Sequence, residues 1–234
     1  MPHLTSRFTA LWQSFGCQHP DLAAAANALI LRHEEPGRAY HNRTHLEDVL
    51  QKLDWAKDAL DQSGELQDLD AAARKRMFQT IELALWYHDA VYDAKAKGNE
   101  AKSRELMKRD AERFRLPPAI VADVARLIDL TAHHSKAEKL YERIMADCDL
   151  AILGADKQTF KKYDDGIRRE YAHVPAPLYK TGRAKVLQHF MDMPHIYKTE
   201  AFANRYEAAA RHNLAQALRG PSPMARIKSL IFKK

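Results

Sequence analysis

DLDAAARKRMFQTIELALWYHDAVY, residues 68–92, reads as one helix, and that reading decides the fold class. Its first half is rich in Ala, Arg and Lys, which are strong helix formers. Further along, Ile81, Ala84, Leu85, His88 and Tyr92 recur at helical spacing, not at the period of two expected of a half-buried strand. Asp68 is placed to cap its start. Working outward, similar signals predict helices near 21–34, 43–61, 99–115, 118–133, 138–153, 157–173, 177–192 and 198–218. Asn99 is a candidate N-cap, and Pro117–Pro118 suits the opening of a helix. No alternating pattern of strand length occurs. The predicted fold is all-α.

Composition narrows the class further. The chain has 234 residues, 46% hydrophobic and 9% aromatic, enough apolar content to fold around a core and to exclude disorder as its main state. Only eight glycines and ten prolines occur, which excludes collagen-like and low-complexity chains. Cys17 and Cys148 form no CxxC pair and read as reduced, buried thiols of a cytoplasmic protein. No stretch approaches the ~18 consecutive apolar residues of a membrane span. The opening MPHLTSRFTALWQSFG carries no apolar leader core, so neither membrane association nor export is expected. There is no internal repeat. One domain over 1–234 is expected, with HVPAPLY at 173–179 as the hinge before a C-terminal helical portion. The net charge of +6 is scattered, and the basic run at 226–234 reads as a solvated tail. Such a balance favours anionic small partners. No nucleic-acid-binding motif accompanies it, so nucleic acid is not an expected partner.

The chemistry lies in three pieces. RAYHNRTH (38–45) sets His41 and His45 four residues apart, on one face if helical. LALWYHDAVYD (83–93) holds His88 and Asp89 inside an apolar run, and MADCDLAILG (145–154) does the same with Asp147 and Asp149. A lone histidine on an apolar face is usually a satisfied core group. An acid among Leu and Ile is harder to dismiss, because an unpaired buried carboxylate is very costly. Imidazoles and carboxylates converging on one divalent cation would remove every such cost together.

The order His45, then His88–Asp89, then a distant acid resembles the H…HD…D pattern of HD-domain metal-dependent phosphohydrolases. The chain is similar in particular to a bacterial group placed in that superfamily by sequence. The likeness runs through YHNRTH (40–45), WYHDAVYD (86–93), NEAKS (99–103), DCDLAILG (147–154), IRREY (167–171) and YKTGR (179–183), and so covers roughly residues 38–213. It implies an HD-type helical bundle, with a metal-binding core at about 38–155 and additional C-terminal helices at about 156–220. It implies metal ligation by His45, His88, Asp89 and a late acid, Asp149, with Asp147 as its alternative. His41, Asp147 and His133 are then residues that orient the ligands or bind a further cation, with His134 ranked below His133. The donor set suits Mn, Fe, Co, Ni, Zn or Mg.

In such an enzyme the cation activates water against a phosphoryl group. Asp93 and Glu100 are the candidate general bases, although many HD enzymes carry their carboxylate where this chain has Tyr92. Arg183, Arg168 and Lys180 are candidate phosphate contacts, since a guanidinium matches phosphate oxygens in pairs. The function so implied is hydrolysis of a phosphorylated small molecule, a nucleotide among the candidates. The alternative is a binding module on the same scaffold that turns nothing over.

Overall fold

The computed structural model describes residues 4–219, and the basic run at 226–234 lies outside them. Ten α-helices and two short 3-10 turns make up its regular structure, and no strand occurs among the described residues. The helices are α1 (Leu4–Ser14), α2 (Leu22–Arg32), α3 (Arg43–Gln62), α4 (Ala71–Tyr87), α5 (Asn99–Arg113), α6 (Pro118–Leu130), α7 (Leu140–Leu150), α8 (Lys157–Glu170), α9 (Ala176–Asp192) and α10 (Glu200–Arg219). The 3-10 turns are His134–Lys136 and Ala151–Gly154. None of the described helices is long and apolar enough to cross a membrane.

Helix α4 is the axis of the bundle. Every residue from Thr80 to Tyr87 is buried, which a helix tolerates only when neighbours cover all its sides. Helices α3, α5, α6 and α7 supply that cover. Two of its buried polar groups are paired: Glu82 accepts from Arg7 Nε at 2.7 Å, and Tyr87 donates to Asp110 at 2.7 Å, whereas Trp86 Nε1 has no partner.

Both ends of α4 differ from the sequence reading. Asp70, not Asp68, caps the start, accepting the Ala73 N–H at 2.7 Å. The helix stops at Tyr87, with His88 as its C-cap, instead of running on to Tyr92. Competition for backbone groups is the cause. Arg38 donates to the carbonyls of Asp89 at 2.6 Å and Ala90 at 3.1 Å, and Ser103 Oγ accepts the Val91 N–H at 3.0 Å. These distant partners satisfy the backbone in a turn, and the turn presents the His88–Asp89 doublet.

Other boundaries shift for similar reasons. Gly98 is the N-cap of α5, and Asn99 instead ties back to Asp93, accepting its N–H and donating to its carbonyl. Helix α9 starts at Ala176 with Pro175 as its N-cap, so the second proline of the expected hinge belongs to the helix. Helix α1 was not expected, yet Phe8, Leu11 and Trp12 bury one of its faces. Cys17 and Cys148 are buried and unbonded.

A single buried cluster runs from Phe8 to Leu214. Helix α10 joins it through Ala201, Phe202, Tyr206, Ala210 and Leu214, packing on the Ala151–Gly154 turn and on α3. That approach needs glycine, because a Cβ at Gly154 would lie 2.7 Å from Tyr206. Helix α9, by contrast, buries only Leu187.

Candidate metal centre

Three helix ends meet at one point. The start of α3 brings His45, the end of α4 brings His88 and Asp89, and the last turn of α7 brings Asp149. These helices pack against one another pairwise, so His45, Asp149 and the turn that carries His88 and Asp89 are all held by the core.

The approach to α3 is tightly organised. Asn42 caps it, accepting from the Thr44 and His45 N–H groups at 2.9 and 3.4 Å. Glu170, at the end of α8, has a fully buried side chain, and one of its oxygens accepts the N–H groups of Ala39, Tyr40 and His41 at 2.8, 2.7 and 2.9 Å. Its other oxygen meets His41 Nδ1 at 2.7 Å and the Tyr92 hydroxyl at 2.9 Å. Burial opposes ionisation of Glu170, but His41 and these N–H groups outweigh it and hold the carboxyl down to about 2. Arg38 then clamps this segment to the doublet, donating to the His41 carbonyl at 3.2 Å as well as to Asp89 and Ala90.

His45, His88 and Asp149 each bring a ligand atom within 4.8 Å of the others, as one cation requires, whereas Asp89 lies beside both imidazoles but outside that set. His45 Nε2 lies 3.3 Å from His88 Nε2, and 3.4 Å from both Asp89 Oδ2 and Asp149 Oδ1. His88 Nε2 lies 3.2 Å from Asp89 Oδ2 and 3.6 Å from Asp149 Oδ1. Ligands about 2.0–2.2 Å from a shared ion stand about 2.8–3.6 Å apart at neighbouring octahedral or tetrahedral positions. The tautomer fits too. His88 Nδ1 lies 2.9 Å from the Leu85 carbonyl, which can only accept, so the proton is on Nδ1 and Nε2 is left for the cluster. Both imidazoles are buried, and Asp89 and Asp149 are less than a fifth exposed.

The electrostatics give the same answer. Burial opposes charge on His45, yet Asp149 and Asp89 overcome it and bring the imidazole up to about 9. His88 is likewise carried well above its ordinary value against burial, chiefly by Asp89. Burial would raise Asp89 and Asp149, but the surrounding histidines hold both well below the carboxylate range. The two carboxylates therefore call for two positive charges between them. Two imidazolium protons supply these, and so would one divalent cation between neutral rings.

The other candidate residues fall elsewhere. Asp149, not Asp147, joins the imidazoles. Asp147 is fully buried and accepts from the Lys198 N–H and from the Thr199 N–H and hydroxyl at 2.7–2.8 Å, so it fastens the chain leading into α10. Burial pushes its carboxyl up to about 7 against those three donors. His41 holds Glu170, with its ring 5.9 Å from that of His45. His133 is exposed, and it is His134 that reaches Asp149, at 2.8 Å. The sequence ranks these two the wrong way round, since neighbours in a short turn carry no periodic signal.

Asp93 is exposed and caps its own turn, accepting the Lys95 N–H at 2.8 Å, while Glu100 sits in the first turn of α5. Two of the three expected phosphate contacts are engaged by other groups, although Arg183 Nη2 has no hydrogen-bond partner. Arg183 donates to Asp164 at 3.0 Å, and Arg168 donates to the carbonyls of Tyr171 and Val174. Lys180 is exposed on α9. Sequence reasoning missed Arg38 and Glu170 as organisers of the site. Glu170 carried a faint signal, as an acid in the IRREY segment.

No family model, curated protein or solved structure matches the chain.

Proposed function

We propose that the chain is a metal-dependent phosphohydrolase of the HD type, acting on a phosphorylated small molecule, a nucleotide among the candidates. The observation that carries this reading is the convergence of His45, His88, Asp89 and Asp149, with each imidazole Nε2 3.2–3.6 Å from both carboxylates. His45, His88 and Asp149 would hold the cation as they stand, Asp89 would join them by closing toward the ion, and His134 would orient Asp149 from behind. Mn, Fe, Co, Ni, Zn and Mg all suit such a set. A divalent cation supplies water of lowered pKa and polarises a phosphoryl oxygen. The chain's own part is positional: Arg38 and Glu170 fix the His41–His45 segment against the doublet, so the donors need little rearrangement on loading.

One observation favours the alternative, a non-catalytic binding module. Neither Asp93 nor Glu100 joins the cluster, so neither candidate base stands beside it to accept a proton. Elemental analysis of the purified protein, paired with a phosphoester panel assayed with added Mn, Co, Ni, Zn and Mg, separates the readings. Stoichiometric metal with hydrolysis lost in Asp89→Ala supports the enzyme. Stoichiometric metal with no ester turned over supports the module. Absence of metal binding refutes the enzyme.

A further inference from the structure

Helices α8 and α9 face each other across a groove of about 490 Å³, within the usual range for a small-molecule site. Tyr163, Tyr171 and Tyr179 line it, with Leu178 and Val186 on α9. Leu178 and Val186 are 66% and 47% exposed, two of the three large apolar side chains that stand out in solvent among the described residues. An apolar, aromatic concavity left open in this way is unusual on a soluble surface and marks a binding site.

The groove lies beside the metal centre. His41, one of its lining residues, has its ring 5.9 Å from that of His45, and Tyr163 packs at 4.6 Å on Tyr40, whose ring lies 4.7 Å from that of His45. Arg183 donates to Asp164 through Nε and stands 5.0 Å over the Tyr163 ring, while its Nη2 has no hydrogen-bond partner. Most of the remaining wall is apolar or aromatic and suits a flat, uncharged group. Gly182 belongs to the lining as well, and a Cβ there would meet nothing within 4 Å. Glycine inside a helix is unfavourable relative to alanine, and here no packing contact requires it. What it leaves is room in the groove.

Resting on the phosphohydrolase reading, we propose that this groove is the site for the organic part of the substrate, and that it selects phosphoesters of a neutral, ring-bearing group over those of a compact one. The phosphate would lie toward the His/Asp cluster, with the ring between Tyr163, Tyr171 and Tyr179.

The test is equilibrium binding of phenylphosphonate and methylphosphonate to manganese-loaded protein, followed by calorimetry. Their C–P bonds resist hydrolysis, so binding is read without turnover. Phenylphosphonate is expected to bind at least tenfold more tightly. Gly182→Leu fills the groove and Val186→Asp places charge in it. Both sites are exposed, so both variants are expected to fold, checked by circular dichroism, and to keep their manganese. Each should reduce the preference to less than threefold. Equal affinities in the wild type, or an unchanged preference in both variants, overturn the proposal. So does a dimer on sedimentation that Val186→Asp dissociates while the wild type shows no phenyl preference, since a second copy would then cover the groove. A phenyl preference without hydrolysis of any ester by any added metal sustains the subsite and removes the phosphohydrolase reading. Hydrolysis without the preference does the reverse.

Discussion

Replacing Glu170 by Gln keeps the shape of the side chain and removes its charge. Five donors converge on this buried carboxylate: three backbone N–H groups, His41 Nδ1 and the Tyr92 hydroxyl. The amide oxygen can still face the backbone groups, but the NH₂ then confronts two donors. Losing two hydrogen bonds to a charged acceptor costs about 3–6 kcal/mol, and reorientation of the hydroxyl or imidazole recovers part of it. The depression of the carboxyl from 4.5 to about 2, which arises from those same donors against burial, corresponds to about 3 kcal/mol.

The sign follows from the direction of the shift. The folded value lies below the unfolded one, so this stabilisation is complete above about 4.5 and is lost as pH falls toward 2, with about half remaining at pH 3. Urea unfolding of wild type and Glu170→Gln at a series of pH values measures it. A gap of about 3 kcal/mol is expected at pH 7, narrowing in acid. A gap below about 1 kcal/mol at pH 7, or one that does not change down to pH 3, would refute the account of Glu170 as an ionised anchor.

Three further outcomes are expected. Asp149→Ala should weaken manganese binding by at least a hundredfold, whereas Asp147→Ala should retain the metal but lose about 3–5 kcal/mol of stability, because three donors are left without their acceptor; metal titration and urea melts on the same pair check this. Arg38→Lys keeps the charge but loses the fork that spans the carbonyls of His41, Asp89 and Ala90, so cation affinity should fall about 10–100-fold in the same titration. Gly154→Ala should lower the melting temperature by several degrees, because its Cβ would sit 2.7 Å from Tyr206 and force α10 outward; a melting temperature equal to wild type would show that α10 can shift freely.

The helical class and most helix positions were legible in the sequence, because a 3.6-residue apolar period and the Pro117–Pro118 opening are written within a few neighbouring residues, whereas the caps it offered, Asp68 and Asn99, gave way to Asp70 and Gly98. The sequence also singled out His45, His88 and Asp89, since polar groups inside apolar runs are visible without coordinates. What it left open concerns which partner each buried charge meets. Asp147 and Asp149 both lie amid apolar neighbours, and only the arrival of Lys198 and Thr199, some fifty residues away in sequence, takes Asp147 out of the cluster. Arg38 likewise ends α4 before Tyr92 by reaching across 51 residues to the Asp89 carbonyl. Arg183 looked free for phosphate until α8 placed Asp164 beside it. Local periodicity fixes which face of a helix is buried. The pairing of the polar groups on that face is decided when distant segments meet, because a buried charge takes the nearest complementary group that the completed packing brings to it.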